Sequence, residues 1–258
     1  MKKISLLICV LIVITSVFSG CGSDGKSSGA SPDQAVTTAA KSTPDQTSDS
    51  AAGEDASWFD DAVFVGDSVT NMLNIYCMND PEALGKAQFV CAPSLGFTNA
   101  QWALDDENNV HPSYKGKTVL AERAAELTGA NKVLIMLGMN DIGIYGADGA
   151  LDECKKFTQK LLSHSPNVKL YFQSVTPKMT SHEDNTIDNN LIKDFDSKLE
   201  KFCNENGYKY LDVYHQVCDE TDALPEKYCG DPEPDEGQGI HFNTEACEIW
   251  IDFLKKNV

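Results

Sequence analysis

Short apolar runs alternate with helical repeats of apolar residues from Trp58 to the C terminus. The runs are rich in β-branched and aromatic residues, which is typical of buried strands. They cover residues 62–65, 88–92, 132–137, 169–173 and 208–213. The pattern therefore predicts five strands separated by helical segments.

The clearest helical repeat lies just before the last predicted strand. Apolar residues recur there every three or four positions, so that they share one face of a helix. These residues are Ile187, Leu191, Phe195, Leu199 and Phe202. Shorter repeats predict helices over residues 151–161 and 246–253, and Gly207 stands where a helix C-cap belongs. Because alternating strands and helices favour a parallel sheet covered on both faces, we predict an α/β fold: a three-layer, doubly wound, mostly parallel five-stranded sheet.

The first predicted strand runs directly into Gly66, Asp67 and Ser68, and an amphipathic helical pattern follows. The strand therefore ends in a tight turn that presents the Ser68 hydroxyl at a helix N terminus. Sites in doubly wound sheets form at this C-terminal edge of the strands. Ser68 is a candidate nucleophile, although serine at such a position is also a common helix N-cap.

Three further residues suit acyl transfer, which needs a base and donors for an oxyanion. His241 lies just before the last predicted helix and is the candidate base. Asn140 follows the strand at 132–137 and is a candidate oxyanion donor through its side-chain amide. Gly96 has no side chain to block close approach, so its backbone N–H is a second candidate donor beside that of Ser68.

Three segments carry a family resemblance: Gly-Asp-Ser at 66–68, Gly-Met-Asn-Asp at 138–141 and Gly-Ile-His-Phe at 239–242. In this order they resemble the GDSL/SGNH hydrolase superfamily, from about Trp58 to the C terminus. The resemblance implies a flavodoxin-like fold and a serine esterase or acylhydrolase. It also implies Ser68 as nucleophile, His241 as base, and Ser68, Gly96 and Asn140 as the oxyanion hole.

One position departs from that family. The family usually has Asp three residues before the histidine, where this chain has Gln238. Three alternatives remain open: Asp235 or Glu236 reaches the ring from a rearranged loop, Asp231 does so with 232–237 as an insertion, or a Ser–His dyad works with a backbone carbonyl. Asp235 is the preferred orienting acid, by a small margin over the dyad.

The net charge of the chain limits the classes of partner that it is expected to bind. The formal net charge is −18 at pH 7, and Arg123 is the one arginine. Such a surface argues against nucleic acids and anionic headgroups. The cysteine spacing does not fit zinc, the acidic stretch at 231–235 lacks the closing Glu of a calcium loop, and the dinucleotide fingerprint is absent from the sequence. We predict no metal and no cofactor.

The N terminus reads as an export signal. Lys2 and Lys3 precede a mostly apolar stretch too short to span a bilayer, and small residues lead to Cys21. This resembles a bacterial lipobox, in which the cysteine is lipidated. We predict a signal peptide at 1–20, a lipidated Cys21 that begins a flexible tether at 21–56, and the hydrolase domain at 57–258. The expected location is extracytoplasmic, on the bacterial cell membrane.

Seven cysteines follow the tether, and because seven is odd at least one stays unpaired within the chain. Cys218 and Cys229 flank a short polar loop and are a candidate disulfide in an exported protein. The sequence does not determine the other pairings.

The expected function is a serine esterase that acts on a small ester or an acylated carbohydrate, with a lipid anchor as its only membrane contact. Acyl groups on sugars are favoured over lipids because the chain has no long apolar lid segment. The alternative, motivated by Gln238, is a catalytically degenerate, carbohydrate-binding lipoprotein on the same scaffold.

Overall fold

Five of the strands form one parallel sheet, as predicted. The computed structural model describes residues 55–233 and 237–258. Its strands are β1 (Ala62–Gly66), β2 (Gln88–Cys91), β3 (Ser113–Tyr114), β4 (Lys117–Thr118), β5 (Lys132–Met136), β6 (Lys169–Gln173) and β7 (Lys209–Leu211). The sheet has the order β2-β1-β5-β6-β7, and β3 and β4 form a separate antiparallel pair.

The helices connect these strands. They are α1 (Ser68–Asn79), α2 (Ala124–Thr128), α3 (Met139–His164), α4 (Asn189–Asn206), α5 (Tyr214–Val217) and α6 (Thr244–Asn257). The predicted helices at 151–161 and 246–253 lie in α3 and α6, and the repeat from Leu191 to Phe202 lies in α4, which begins two residues after Ile187. Gly207 caps α4 with φ at +71°, a left-handed conformation that suits glycine. Gly146, with φ at +66°, divides α3 into two helical pieces.

Alternate side chains of the central strands enter two separate apolar clusters, which makes the fold three-layered. On β1, Val63 and Val65 pack into the cluster that contains Phe157 of α3. Phe64, between them, packs into the cluster that contains Trp250 of α6. Successive residues of a strand point to opposite faces of the sheet, so strands buried on both faces need apolar residues at every position. This explains the continuous apolar runs and confirms the predicted fold class.

The C-terminal ends of β1 and β5 are followed almost at once by helices. Only Asp67 separates β1 from α1, and two residues separate β5 from α3. Because β1 and β5 are neighbours and parallel, the N termini of α1 and α3 emerge side by side at one edge of the sheet. Ser68 and Asn140, at the first and second positions of these helices, are thereby placed at the same edge.

The seven cysteines within the described residues are all free thiols. The candidate disulfide between Cys218 and Cys229 is therefore wrong: the Cys229 sulfur lies instead 3.1 Å from Asp231 Oδ1. Within 55–233 and 237–258, none of the helices has the length and apolar content needed to cross a bilayer. The predicted signal peptide, the lipidated Cys21 and nearly all of the predicted tether lie outside the described residues.

Candidate active site

Ser68 is the first residue of α1, directly after the turn that ends β1. Asp67 caps the helix, because its Oδ1 accepts a hydrogen bond from the Val69 N–H at 2.9 Å. Gly66 makes the turn possible, since a Cβ there would lie 1.9 Å from Thr70 Oγ1. The Ser68 N–H belongs to the first turn of the helix, whose N–H groups have no acceptor inside the helix and are available to an anion.

His241 meets Ser68 across 173 positions of sequence: its Nε2 lies 2.9 Å from Ser68 Oγ. The side chain of His241 is 26% exposed, so that the pair is partly shielded from water and still open to a substrate. The histidine lies three residues before α6, which Asn243 caps through its Oδ1 and the Ala246 N–H at 3.1 Å. The predicted meeting of hydroxyl and imidazole is present in the structure.

The other ring nitrogen of His241 contacts Asp231. Asp231 Oδ2 lies 2.7 Å from His241 Nδ1, and Oδ1 accepts the His241 backbone N–H at 3.2 Å. The Gln238 N–H donates to Oδ2 at 2.9 Å, and the Cys229 thiol donates to Oδ1 at 3.1 Å. Four donors therefore fix the orientation of this carboxylate.

A short antiparallel pairing brings Asp231 to the ring. Gly230 donates its N–H to the His241 carbonyl at 2.7 Å, and Asn243 donates to the Tyr228 carbonyl at 3.0 Å. Residues 228–230 thus lie beside residues 241–243. The carboxylate that immediately follows Gly230 is therefore held next to His241.

Asp235, the acid preferred from sequence, does not hold this position. It lies in residues 234–236, outside the described residues, and the structure gives the Nδ1 contact to Asp231. Gln238, at the family's usual acid position, contributes only its backbone N–H to that carboxylate. The imidazole of His241 therefore has a charged partner, although Gln238 stands at the family's usual acid position.

The contacts of His241 and Asp231 set their ionisation. The hydrogen bond to Asp231 raises the pKa of the His241 imidazole above its ordinary 6.5, against the opposing effect of burial. Burial favours a higher pKa for the Asp231 carboxyl, but the hydrogen bonds from His241, Gln238 and Cys229 outweigh it and hold that pKa well below its usual range. Asp231 therefore stays ionised at neutral pH and stabilises a protonated imidazole.

Asp67 is a further titratable group close to His241. Its side chain is buried, which raises the pKa of its carboxyl to about 6 in spite of the hydrogen bond from the Val69 N–H. The negative charge of Asp67 also contributes to the raised pKa of His241, so the ionisations of the two groups are coupled.

Asn140 links three segments of the site. Its amide nitrogen donates to the Leu95 carbonyl at 3.0 Å and lies 3.4 Å from Asp67 Oδ2. Leu95 and Asp67 immediately precede Gly96 and Ser68, so the Asn140 amide stands next to both predicted backbone donors. Asn140 is thus at the place that the sequence analysis assigned to it.

Gly96 differs from the expectation. Its N–H donates to Asn99 Oδ1 at 2.8 Å, and the Asn99 amide donates in turn to the Ser94 carbonyl at 2.8 Å. The Gly96 N–H, which was expected to donate to the oxyanion, therefore donates to the side chain of Asn99 instead. The position still requires glycine, because a Cβ at Gly96 would lie 2.6 Å from Asp141 Oδ2.

Asp141, the last residue of the Gly-Met-Asn-Asp segment, holds this loop in place. The buried carboxylate accepts the Phe97 N–H at 2.8 Å and the Thr98 N–H at 3.0 Å. It thereby ties the segment after Gly96 to the start of α3. Its place beside Asn140 in the Gly-Met-Asn-Asp segment was the one available signal. No sequence feature indicated Asn99, and Cys229 was singled out only as a candidate for a disulfide.

The chemistry available at this edge is that of a serine hydroxyl, an imidazole base and a carboxylate in hydrogen-bonded order. Within the part of the chain that the structure describes, no three His, Cys, Asp or Glu side chains are grouped so as to hold a metal ion. The model of the GDSL-like lipase/acylhydrolase family matches residues 64–249, which include all of these groups. The chain belongs to the GDSL-like lipase/acylhydrolase family.

The family assignment confirms the resemblance predicted from the three segments and makes this chain an ester hydrolase by class. Solved structures agree with the fold. A GDSL-like lipase from Bacteroides thetaiotaomicron is 16% identical, with a TM-score of 0.56, over 76% of this chain and 86% of that one. A proposed acylhydrolase from Bacteroides fragilis is 14% identical, with a TM-score of 0.52, over 75% of this chain and 83% of that one. Comparison with curated proteins finds no significant match.

Proposed function

We propose that this GDSL-family hydrolase cleaves carboxylic esters through an acyl-serine intermediate formed on Ser68. The observation that carries the proposal is the continuous hydrogen-bonded chain from Ser68 Oγ through His241 to Asp231. A serine hydroxyl is a weak nucleophile by itself and becomes effective when a neighbouring base takes its proton. His241 Nε2 is at hydrogen-bond distance for that transfer.

In the first half of the reaction, Ser68 Oγ attacks the ester carbonyl carbon while its proton passes to His241 Nε2. The imidazolium that forms is stabilised by the ionised Asp231 at Nδ1. The tetrahedral intermediate collapses, His241 returns the proton to the alcohol oxygen, and the alcohol leaves. In the second half, water attacks the acyl carbon while His241 removes its proton. The second tetrahedral intermediate then breaks the bond to Ser68 Oγ, His241 returns the proton to that oxygen, and the carboxylic acid leaves.

The oxyanion of each tetrahedral intermediate is held by the Ser68 N–H at the start of α1 and by the Asn140 amide. The Asn140 amide turns from the Leu95 carbonyl to the oxyanion as negative charge develops. The Gly96 N–H joins these donors only when the Asn99 side chain moves away from it.

Phosphonate labelling tests the proposal. A fluorophosphonate should modify wild-type protein at Ser68, identified by mass spectrometry of the tryptic peptide, and hydrolysis of p-nitrophenyl acetate should stop in parallel. The proposal is wrong if the protein hydrolyses the ester without labelling at Ser68, or if it neither hydrolyses esters nor reacts with the probe.

Replacing Asn140 by alanine tests the oxyanion assignment. Loss of one preorganised donor should lower kcat for p-nitrophenyl acetate by about 10²–10³-fold, with a smaller effect on KM, because the donor acts mainly on the charged intermediate. Asn206→Ala is the matched control, since the amide of Asn206 only caps the Phe202 carbonyl at the end of α4. Equal activity of the two variants would exclude Asn140 from the oxyanion site.

The proposed substrate is a small ester or an acylated carbohydrate, and the proposed setting is the outer face of a bacterial membrane. The support for the setting is the sequence before Cys21, which resembles a lipobox. Incorporation of a radiolabelled fatty acid into the expressed protein, and its loss in Cys21→Ala, is the expected result. Labelling that persists in that variant would contradict the anchor and leave the hydrolase proposal unaffected.

A further inference from the structure

A polar cavity of about 490 Å³ lies next to the loop that carries His241. Gln238 forms part of its wall, and the backbone N–H of the same residue donates to Asp231 Oδ2. Gln238 therefore links the cavity wall to the carboxylate that contacts His241. Ile187 is the one apolar side chain among the described residues that line it.

Lys178 is anchored to the wall of this cavity. Its backbone N–H donates to Asn189 Oδ1 at 2.8 Å, and its carbonyl accepts from Asn189 Nδ2 at 2.8 Å. The next N–H, that of Met179, donates to the Gly239 carbonyl at 2.8 Å. The backbone at Lys178 is thus fixed to α4 and, through Met179, to the loop that carries His241.

The ammonium group of Lys178 is buried and poorly satisfied. The side chain is only 7% exposed, and its one acceptor among the described residues is Asp184 Oδ2 at 3.3 Å. An ammonium carries three donors, and the described residues accept from one of them. A buried charge with so few partners is costly, and the mechanism on Ser68 does not use it.

Asp184 supplies a fixed acceptor beside these donors. Its Oδ1 accepts the Thr186 N–H at 2.7 Å and the Ile187 N–H at 3.0 Å, and the Thr186 hydroxyl bonds to the same oxygen. These bonds leave Oδ2 with Lys178 as its one protein partner among the described residues. The carboxylate is therefore held in one orientation with acceptor capacity to spare.

His182 is a second group in this wall with an unmet hydrogen bond. Its Nδ1 lies 2.9 Å from Ser181 Oγ, whereas its Nε2 is buried and has no partner within the described residues. The ring packs closely on the His241 loop, since a Cβ at Gly239 would lie 2.6 Å from His182 Cγ. His182 therefore packs the cavity wall against the His241 loop, and the charged groups of the wall that could bind a ligand are those of Lys178 and Asp184.

We propose that this cavity is a subsite for the sugar hydroxyls of an acylated carbohydrate, with Lys178 donating to one hydroxyl and Asp184 accepting from its neighbour. The inference rests on the proposed function and names the alcohol part of the ester. An apolar acyl chain does not fit a wall with one aliphatic side chain. An anionic group is disfavoured because Asp184 and Glu183 line the same cavity in a chain of net charge −18.

Two acetyl esters that differ only in their alcohol test the subsite: an acetylated xylo-oligosaccharide and p-nitrophenyl acetate. In Lys178→Met, which keeps an unbranched apolar stem, the ratio of kcat/KM for the sugar ester to that for p-nitrophenyl acetate should fall about tenfold, the change expected from one charge-assisted hydrogen bond. Asp184→Asn should lower the ratio in the same direction. Lys193→Met is the matched control, because Lys193 pairs with Asp222 at 2.6 Å outside the cavity.

Calorimetry with the acetylated oligosaccharide gives a readout that does not depend on turnover. Ser68→Ala should bind the sugar, and adding Lys178→Met should weaken that binding about tenfold. Asp184→Asn in the same background serves if the Lys178 variant fails to fold.

The outcomes separate the subsite from the hydrolase. An unchanged ratio in Lys178→Met and Asp184→Asn overturns the subsite. An equal loss on both substrates also overturns it, because Lys178 would then act through the His241 loop. Wild-type protein that cleaves p-nitrophenyl acetate but no acetylated sugar overturns the subsite alone. Protein that cleaves neither ester and takes no fluorophosphonate label overturns the proposed function itself.

Discussion

Replacing Ser68 by alanine is expected to lower kcat for p-nitrophenyl acetate by about 10⁶-fold, the scale seen when a serine hydrolase loses its nucleophile. Without Oγ no acyl-enzyme can form, and His241 loses the hydroxyl that lies 2.9 Å from its Nε2. What survives is the contribution of the oxyanion donors and of binding, which persists when a nucleophile is removed. The measurement is the initial rate at high enzyme concentration, corrected for spontaneous hydrolysis.

The fold should survive this change, because Ser68 is partly exposed and the helix cap is provided by Asp67. Unfolding midpoints of wild type and variant should therefore agree. Ser163→Ala is a matched control, since that exposed hydroxyl only bonds to the Lys160 carbonyl on α3. A Ser68→Ala variant that keeps more than about a hundredth of the wild-type rate would rule out Ser68 as the nucleophile, because even the loss of an oxyanion donor costs about that much.

Replacing Asp231 by asparagine is expected to lower kcat by about 10⁴-fold, as the equivalent change does in a serine protease triad. The amide of asparagine can donate to His241 Nδ1, so that the ring hydrogen lies on Nε2. With a hydrogen there, Nε2 cannot accept the proton of Ser68. Asp235→Asn is the decisive control, because Asp235 was the acid preferred from sequence. Its activity should stay near wild type, whereas a larger loss in Asp235→Asn than in Asp231→Asn would contradict the assignment.

The pH dependence gives the same variant a second readout. The imidazole must be neutral to act as a base, so wild-type kcat/KM rises with pH through the pKa of His241, which the Asp231 hydrogen bond holds above 6.5. Asparagine removes the charge that raises this pKa, and the midpoint of the remaining activity should move to lower pH. A midpoint that does not move would show that Asp231 does not act on the ring.

Much of the fold was predictable because burial leaves a local, periodic trace in the chain. The run at 62–65 lies in β1, and the repeat from Leu191 to Phe202 lies in α4, with Ile187 two residues before the helix begins. The prediction missed the β3–β4 pair and the short helix α2. These elements have two to five residues each, too few for a period to appear. The run at 208–213 shortened to the three residues of β7, where the chain turns away from the sheet edge.

The site divides in a similar way. Ser68, Asn140 and His241 lie in or beside regular elements. The short segments that contain them match the family in sequence, and all three residues were predicted at their observed positions. The orienting acid was not, because several carboxylates lie within ten positions of His241 and the course of a loop decides which one meets the ring. The Gly96 N–H was expected to be open, yet its real partner, Asn99, lies only three residues further on, in a turn that carries no sequence signature.

The sequence by itself determined the family, the parallel sheet, and the meeting of Ser68 and His241. Neighbouring parallel strands end at the same edge of a sheet. Ser68 follows the end of the first strand, and His241 precedes the last helix. Tertiary structure decided that Asp231 supplies the carboxylate, because the pairing of residues 228–230 with 241–243 holds it there. It also decided that Cys229 is a thiol bonded to that carboxylate and that Lys178 is buried beside the His241 loop. Contacts between loops depend on the path of the backbone through space. A loop has no periodic pattern of apolar residues, so its path cannot be predicted from the sequence in the way that a helix or strand can.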